Sequence, residues 1–319
     1  MGESTATLRN QIGSAQSLRS VVRTMKAVAA ANISQYQTSV TALGGYYRTV
    51  QLGLGVCFRE TRTVPPSLVA GSVRPPPGLA VVFGSDQGLV GQFNDGMAVF
   101  VAQTLKELGT EPLPEVWAVG ERVHARLGDV GLTPRGQFVV PHSIRAIARL
   151  VGQILAEVET HQRLGDVEVR LFYHRSLWGI GYEPVQQRLL PLDDEWRNDV
   201  TRSPWPSKNR PEVMGNPAET LQGCIREYLF VSLYRACAES LASENASRLA
   251  AMIRAEKNID GLLENLNGTF RRLRQNLIDE ELFDIVAGFE AIIDPAQDRG
   301  GIPSPPREIS SERREFSSP

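Results

Sequence analysis

The sequence predicts an α/β body carried on a long antiparallel coiled coil of N- and C-terminal helices, the body being a small Rossmann-like α/β middle domain. Three observations point there. Residues 216–293 hold no proline after Pro217 and space their apolar side chains by fours and threes. Residues 7–55 repeat that spacing at the other end of the chain. Between the two, short apolar runs bounded by glycine and proline alternate with amphipathic stretches, the texture of strands alternating with helices.

In the C-terminal helix the seam is Ile259, Leu263, Leu266, Phe270, Leu273 and Leu277. Such a seam needs a partner, and at about 1.5 Å per residue the segment runs roughly 110 Å, too long to stay inside a domain of this size. The N-terminal seam supplies the partner: Leu8, Ile12, Ala15, Leu18, Val22, Met25, Ala29, Tyr36, Val40, Leu43, Tyr47, Val50 and Leu54. Gly44, Gly45, Gly53 and Gly55 each cost about 1 kcal/mol relative to alanine in a helix, which predicts a weak or bent last third. With a domain between them, the helices pair antiparallel, Leu54 near Ile225, Met25 near Arg254 and Arg9 near Phe270. The first helix reaches only about 80 Å. The last turns of the second are therefore unpartnered, and they carry Leu282, Phe283, Ile285, Val286, Phe289, Ile292 and Ile293. An apolar surface of that size marks a binding site for something outside the chain.

The boundaries read as a coiled-coil helix (1–60), a Pro-rich linker (61–77), an α/β domain (78–190), an irregular insertion (191–216), the second coiled-coil helix (217–294) and a disordered tail (295–319). Inside the middle domain, strands are expected at 78–84, 115–120, 138–140, 167–174 and 185–190, with helices at 92–108, 121–128 and 143–161.

Composition excludes little. The 319 residues are 42% hydrophobic and 22% charged, with a net charge of -2 that offers no general attraction to nucleic acid. Cys57, Cys224 and Cys237 match no metal or disulfide spacing, so reduced intracellular thiols are expected. No apolar run reaches membrane-spanning length and no signal-type core opens the chain, which reads as soluble and not exported.

Candidate chemistry is sparse. Gly84-Ser-Asp-Gln-Gly88-Leu-Val-Gly91-Gln-Phe-Asn94 follows a strand and opens a helix, where glycines could admit a phosphate. It lacks the Lys-Ser/Thr ending of a P-loop and the dinucleotide spacing, so a tight structural turn is the better reading. His124, His142, His161 and His174 have no ligand spacing, and Ser85 has no GxSxG elbow and no histidine near it in sequence. Asp279, Glu280, Glu281 and Asp284 read as a solvated face beside the apolar tip. No cofactor or metal is expected. Arg9, Arg19, Arg23, Lys26, Arg48 and Arg59 make the first helix basic, which fits either a solvated face or a stalk passing acidic protein loops.

Leu8-Arg-Asn-Gln-Ile-Gly through Met25-Lys26-Ala-Val-Ala-Ala-Ala31 resembles the first helix of the gamma subunit of F-type ATP synthases. Ser243 to Met252, followed by Arg271 to Ala291, is similar to that family's C-terminal signature, and Gly84 to Asn94 is similar to its Ser-Asp-Arg-Gly-Leu-Cys-Gly segment. The resemblance implies a non-catalytic central rotor shaft turning inside a hexamer of alternating catalytic and non-catalytic nucleotide-binding subunits. It also implies an epsilon-type stalk subunit and a membrane rotor ring as partners, and a place on the cytoplasmic face of the bacterial plasma membrane. By the same resemblance, Arg274 and Gln275 meet a loop of a catalytic subunit, and Met25 and Lys26 lie near acidic loops. The tip, with Glu281, Phe283, Asp284, Ile285 and Phe289, then turns in an apolar sleeve. Departures at Gln87, Val90, Asp279 and Phe289 point to a divergent branch such as the sodium-linked N-type ATPases. Two other classes stay open: a nucleotide-binding α/β enzyme dimerised by its coiled coil, and a free-standing scaffold.

Overall fold

A computed structural model describes residues 4–61, 78–109, 112–163, 167–177, 181–209 and 211–293. The expected linker beyond Thr61, the tail and the side chains of Ile292 and Ile293 lie outside the described residues. In chain order the elements are α1 (Thr5–Glu60), β1 (Gly78–Phe83), α2 (Phe93–Leu108), β2 (Glu115–Val119), α3 (Glu121–Asp129), β3 (Gly136–Phe138), α4 (Ile144–Arg163), β4 (Glu168–Ser176), β5 (Tyr182–Leu190), α5 (Asp194–Arg202) and α6 (Pro217–Ile293).

The sheet runs β3-β2-β1-β4-β5, with the first four strands parallel and β5 antiparallel at the edge. β1 is dry on both faces. Ala80 and Val82 enter a core with Met97, Val101 and Leu105 of α2 and Val123 and Leu127 of α3. Leu79, Val81 and Phe83 enter the other core, which α4 shares with Val50 and Leu54 of α1 and Leu221, Leu229 and Leu233 of α6. Burial on both sides is why β1 reads as an unbroken apolar run. The same core ties the sheet to both long helices.

The chain divides into two compact units, one of residues 1–16 and 261–319, the other of residues 17–260. In the larger unit Arg23 Nε lies 2.8 Å from Glu256 Oε1, Asn32 Nδ2 donates to Asn245 Oδ1 at 3.2 Å, and Tyr46 OH donates to Glu227 Oε2 at 2.7 Å. Partners on α6 descend as α1 ascends, so the pair is antiparallel. In the smaller unit the Arg9 guanidinium sits 5.8 Å from the Phe270 ring centre, as the register requires, and Leu8, Ala15 and Leu263 are buried.

Three local expectations change, while α1 runs helical through its glycines to Glu60. A Cβ on Gly55 would lie 2.5 Å from the Val200 carbonyl oxygen, so glycine is there to let α5 approach the backbone. The stretch 191–216 is not wholly irregular, since it contains α5. Asp193 caps that helix by accepting from Glu195 N at 3.2 Å, while Trp196 packs on Tyr228 at 4.6 Å and Val200 is buried. β3 ends at Phe138, because the Val140 N–H is spent on Asp86 Oδ2 at 2.9 Å. β5 starts three residues before the expected Val185 and takes in Pro184, which an edge strand tolerates.

Candidate functional site

The end of α6 is the most exposed apolar surface among the described residues. Phe283, Ile285 and Phe289 are 71%, 69% and 65% exposed, and Leu277, Ile278, Leu282 and Val286 are exposed too. Ile278, Leu282, Ile285 and Phe289 recur at four, three and four residues, one stripe of a helix. Glu281 and Asp284 occupy the same turns, and Arg274 and Gln275 lie two to three turns earlier, all exposed. None of these four polar side chains has a hydrogen bond or ion pair among the described residues, so all are available to a partner.

Met25 and Lys26 lie in the other unit, half-buried on α1. Lys26 Nζ is ion-paired with Glu256 Oε2, and Arg23 takes the other carboxylate oxygen. Lys26 first and Arg23 second hold the Glu256 carboxyl below its usual range. Arg19 pairs with Asp260 at 2.7 Å and Arg59 donates to Thr201 O at 2.5 Å. With Arg9 on Phe270, most of the basic face is therefore engaged within the chain. Glu256 went unread in the sequence, although its place opposite Lys26 followed from the register.

The Ser85, Asp86 and Asn94 side chains of the glycine turn after β1 are spent on structural hydrogen bonds. The turn lies where the strand order reverses direction, the crevice in which doubly wound sheets hold ligands. The Asp86 carboxylate turns toward the β2 and β3 side, accepting from Glu121 N at 2.9 Å at the start of α3 and from Val140 N at 2.9 Å. Ser85 N donates to Asn94 Oδ1 at 3.0 Å, Asn94 Nδ2 donates to Ser85 Oγ at 2.8 Å, and Ser85 Oγ donates to Gln87 O at 2.9 Å. Gly120, at φ 119°, lets the backbone of Ser85 come within 2.7 Å of where its Cβ would stand. These contacts make the turn a joint between β1, α2, α3 and the segment after β3.

The other polar candidates are structural as well. His174 is buried, stacked on Phe93 at 4.1 Å with Tyr182 edge-on at 5.0 Å, and burial pushes its pKa down to about 3. Cys57 is pushed up to about 11 by burial, with Cys224 beside it, so it is not an activated thiolate. No group of His, Cys, Asp or Glu among the described residues could hold a metal ion. A polar cleft of about 190 Å³ opens among Asn32, Tyr36, Asp86, His142, Glu244 and Arg248. Burial raises the Glu244 pKa while Arg248, 2.6 Å away, opposes the shift.

Comparison with known proteins agrees with the fold. A family model described as ATP synthase matches residues 4–292. The ATP synthase gamma chain of Polynucleobacter asymbioticus is 26% identical, over 91% of this chain and 99% of the relative. That of Hyphomonas neptunium is 28% identical, over 89% of this chain and 98% of the relative. Among solved structures, a chain of the Euglena gracilis mitochondrial ATP synthase (OSCP/F1/c-ring, rotational state 3) aligns at TM-score 0.60 and 16% identity, over 93% of this chain and 98% of that one. A chain of the Tetrahymena thermophila mitochondrial ATP synthase (central stalk/c-ring) aligns at TM-score 0.52 and 20% identity, over 74% of this chain and 99% of that one.

Proposed function

We propose, on the premise that the chain belongs to the ATP synthase family and within it to the gamma chains, that the exposed end of α6 is the bearing on which it turns. The chain is the central shaft of a rotary ATP synthase, a non-catalytic subunit that couples rotation to conformational change in the catalytic subunits. One observation carries the bearing: seven large apolar side chains between Leu277 and Phe289 face solvent on a continuous helix. An apolar sleeve made by the surrounding subunits removes that surface from water. It also holds the shaft without directional bonds, so the shaft can rotate.

The partners we assign are alternating catalytic and non-catalytic nucleotide-binding subunits around the helices, and an epsilon-type stalk subunit and a membrane ring at the sheet end. Arg274 and Gln275 offer hydrogen bonds to a loop of a catalytic subunit, with Glu281 and Asp284 at the mouth of the sleeve. Met25 and Lys26 offer a further contact lower on α1. The chain acts at the cytoplasmic face of the bacterial plasma membrane, held through its partners. No helix of the described residues is long and apolar enough to cross a membrane.

The test is assembly. Phe283→Asp with Phe289→Asp leaves the fold intact, because both side chains are solvent-facing, and lowers co-purification with the nucleotide-binding hexamer at least tenfold. Undiminished co-purification of a folded variant would remove the bearing.

A further inference from the structure

Ser232, Glu239, Ser240, Ser243, Glu244, Asn245 and Ser247 are all buried on α6, in the segment that packs on the sheet. Burying so many polar groups on one helix has no benefit for a simple apolar joint. Several of them reach across to other elements, and two reach backbone carbonyls of the sheet body. Ser247 Oγ donates to Val90 O at 2.5 Å, in the turn between β1 and α2, and accepts from the Tyr182 hydroxyl of β5, 3.0 Å from Ser247 Oγ. Ser243 Oγ shares its proton between Glu239 O on its own helix (2.8 Å) and His174 O on β4 (3.2 Å). His174 and Pro184 are a non-hydrogen-bonded pair of the ladder, whose bonds alternate from Leu177 N–H to Gly181 O, so the His174 carbonyl points away from β5. Asn245 Oδ1 accepts from Asn32 on α1 at 3.2 Å and its amide donates to Leu241 O at 2.8 Å.

We propose that Ser243, Asn245 and Ser247 form an angular lock between the sheet body and the two long helices, positioning residues through which torque passes without slip. The proposal rests on the rotary-shaft reading. Apolar contacts are non-directional, so a helix seated only on leucine and valine can rotate or slide by part of a turn at little cost. A buried hydrogen bond is different, because movement leaves both groups dry and unpaired. The three residues bind three separate elements: Ser243 holds β4, Ser247 holds the β1–α2 turn and Asn245 holds α1. Turning α6 against the body breaks the first two together. The lock sets one angle between the sheet, which receives rotation, and the shaft, which delivers it.

The experiment uses the assembled complex in membrane vesicles, with ATP hydrolysis and ATP-driven ion pumping measured in parallel and unfolding followed on the purified chain. The variant Ser243→Ala, Asn245→Leu, Ser247→Ala leaves the His174 and Val90 carbonyls and the Asn32 amide without these partners, so its melting temperature falls, and the assays are run below that temperature. It assembles, hydrolyses ATP at the parental rate and pumps at least twofold fewer ions per ATP. Ser247→Thr, which retains the hydroxyl, pumps as the parent does. Tyr182→Phe removes one O–H with the ring unchanged and gives a smaller loss of the same kind, and it decides the matter if the triple variant does not fold. Parental pumping per ATP in the folded triple variant, or in Tyr182→Phe when that variant stands alone, overturns the lock. A parental complex that pumps without this chain overturns the shaft reading instead, and the control without the chain shows it.

Discussion

Asp86→Ala tests the reading of the glycine turn as a structural joint. The carboxylate accepts two backbone N–H groups, from Glu121 at the start of α3 and from Val140 beyond β3, each at 2.9 Å. Losing a carboxylate cap at a helix start costs about 1 kcal/mol. Leaving the half-buried Val140 N–H unpaired adds about 1–2 kcal/mol, so the substitution destabilises by about 2–3 kcal/mol in all. At about 2–4 °C per kcal/mol for a unit of this size, the melting temperature falls by roughly 5–10 °C. Asp86→Asn keeps one acceptor oxygen and recovers about half of that loss. Urea titration with calorimetry reads both, and nucleotide titration of the same samples gives no binding heat. An alanine variant within about 0.5 kcal/mol of the parent, the scatter of an ordinary surface change, would refute the joint. So would tight nucleotide binding by the parent chain.

Leu263→Pro, at a buried seam position of α6, breaks the helix at a cost of about 3 kcal/mol or more and abolishes ATP-driven ion pumping, while normal pumping would contradict a rigid shaft. Gly55→Ala puts a methyl 2.5 Å from the Val200 carbonyl and destabilises by about 1–3 kcal/mol in thermal unfolding, whereas a gain in stability would mean α5 does not pack there. His174 has its folded pKa depressed from 6.5 to about 3, so between those values the unfolded chain binds a proton that the folded chain refuses. Its contribution is complete above pH 6.5 and is lost toward pH 3 at about 1.4 kcal/mol per unit, so stability at pH 5 is about 2 kcal/mol lower from this group alone. His174→Phe removes that slope in urea titrations at pH 7 and pH 5, and an unchanged slope would place the acid sensitivity elsewhere.

Much of this was legible in the sequence, because the features that position the shaft are periodic. Alternating threes and fours at both termini specify two long helices, and their lengths leave Phe283, Ile285 and Phe289 without a partner. The unbroken apolar run of β1 specified a strand buried on both faces. What stayed hidden depends on contacts between distant residues. Gly55 carries the propensity of a helix breaker in sequence and acts as a packing notch once α5 is in place. Asp86 reads as part of a glycine-rich motif and proves to hold the start of α3 and the segment just past β3. Ser243 and Ser247 look like ordinary weak helix formers until the carbonyls of His174 and Val90 stand opposite them.

The most direct measurement is rotation itself. With the nucleotide-binding hexamer fixed to a surface, a bead is attached through Met214→Cys, a position 91% exposed, while Cys57 and Cys237 stay buried and Cys224 half-buried. Under ATP the account predicts continuous rotation of the bead in one direction, arrested by the Leu263→Pro change. Sustained ATP hydrolysis with a stationary bead, in complexes shown to retain the chain, would contradict it.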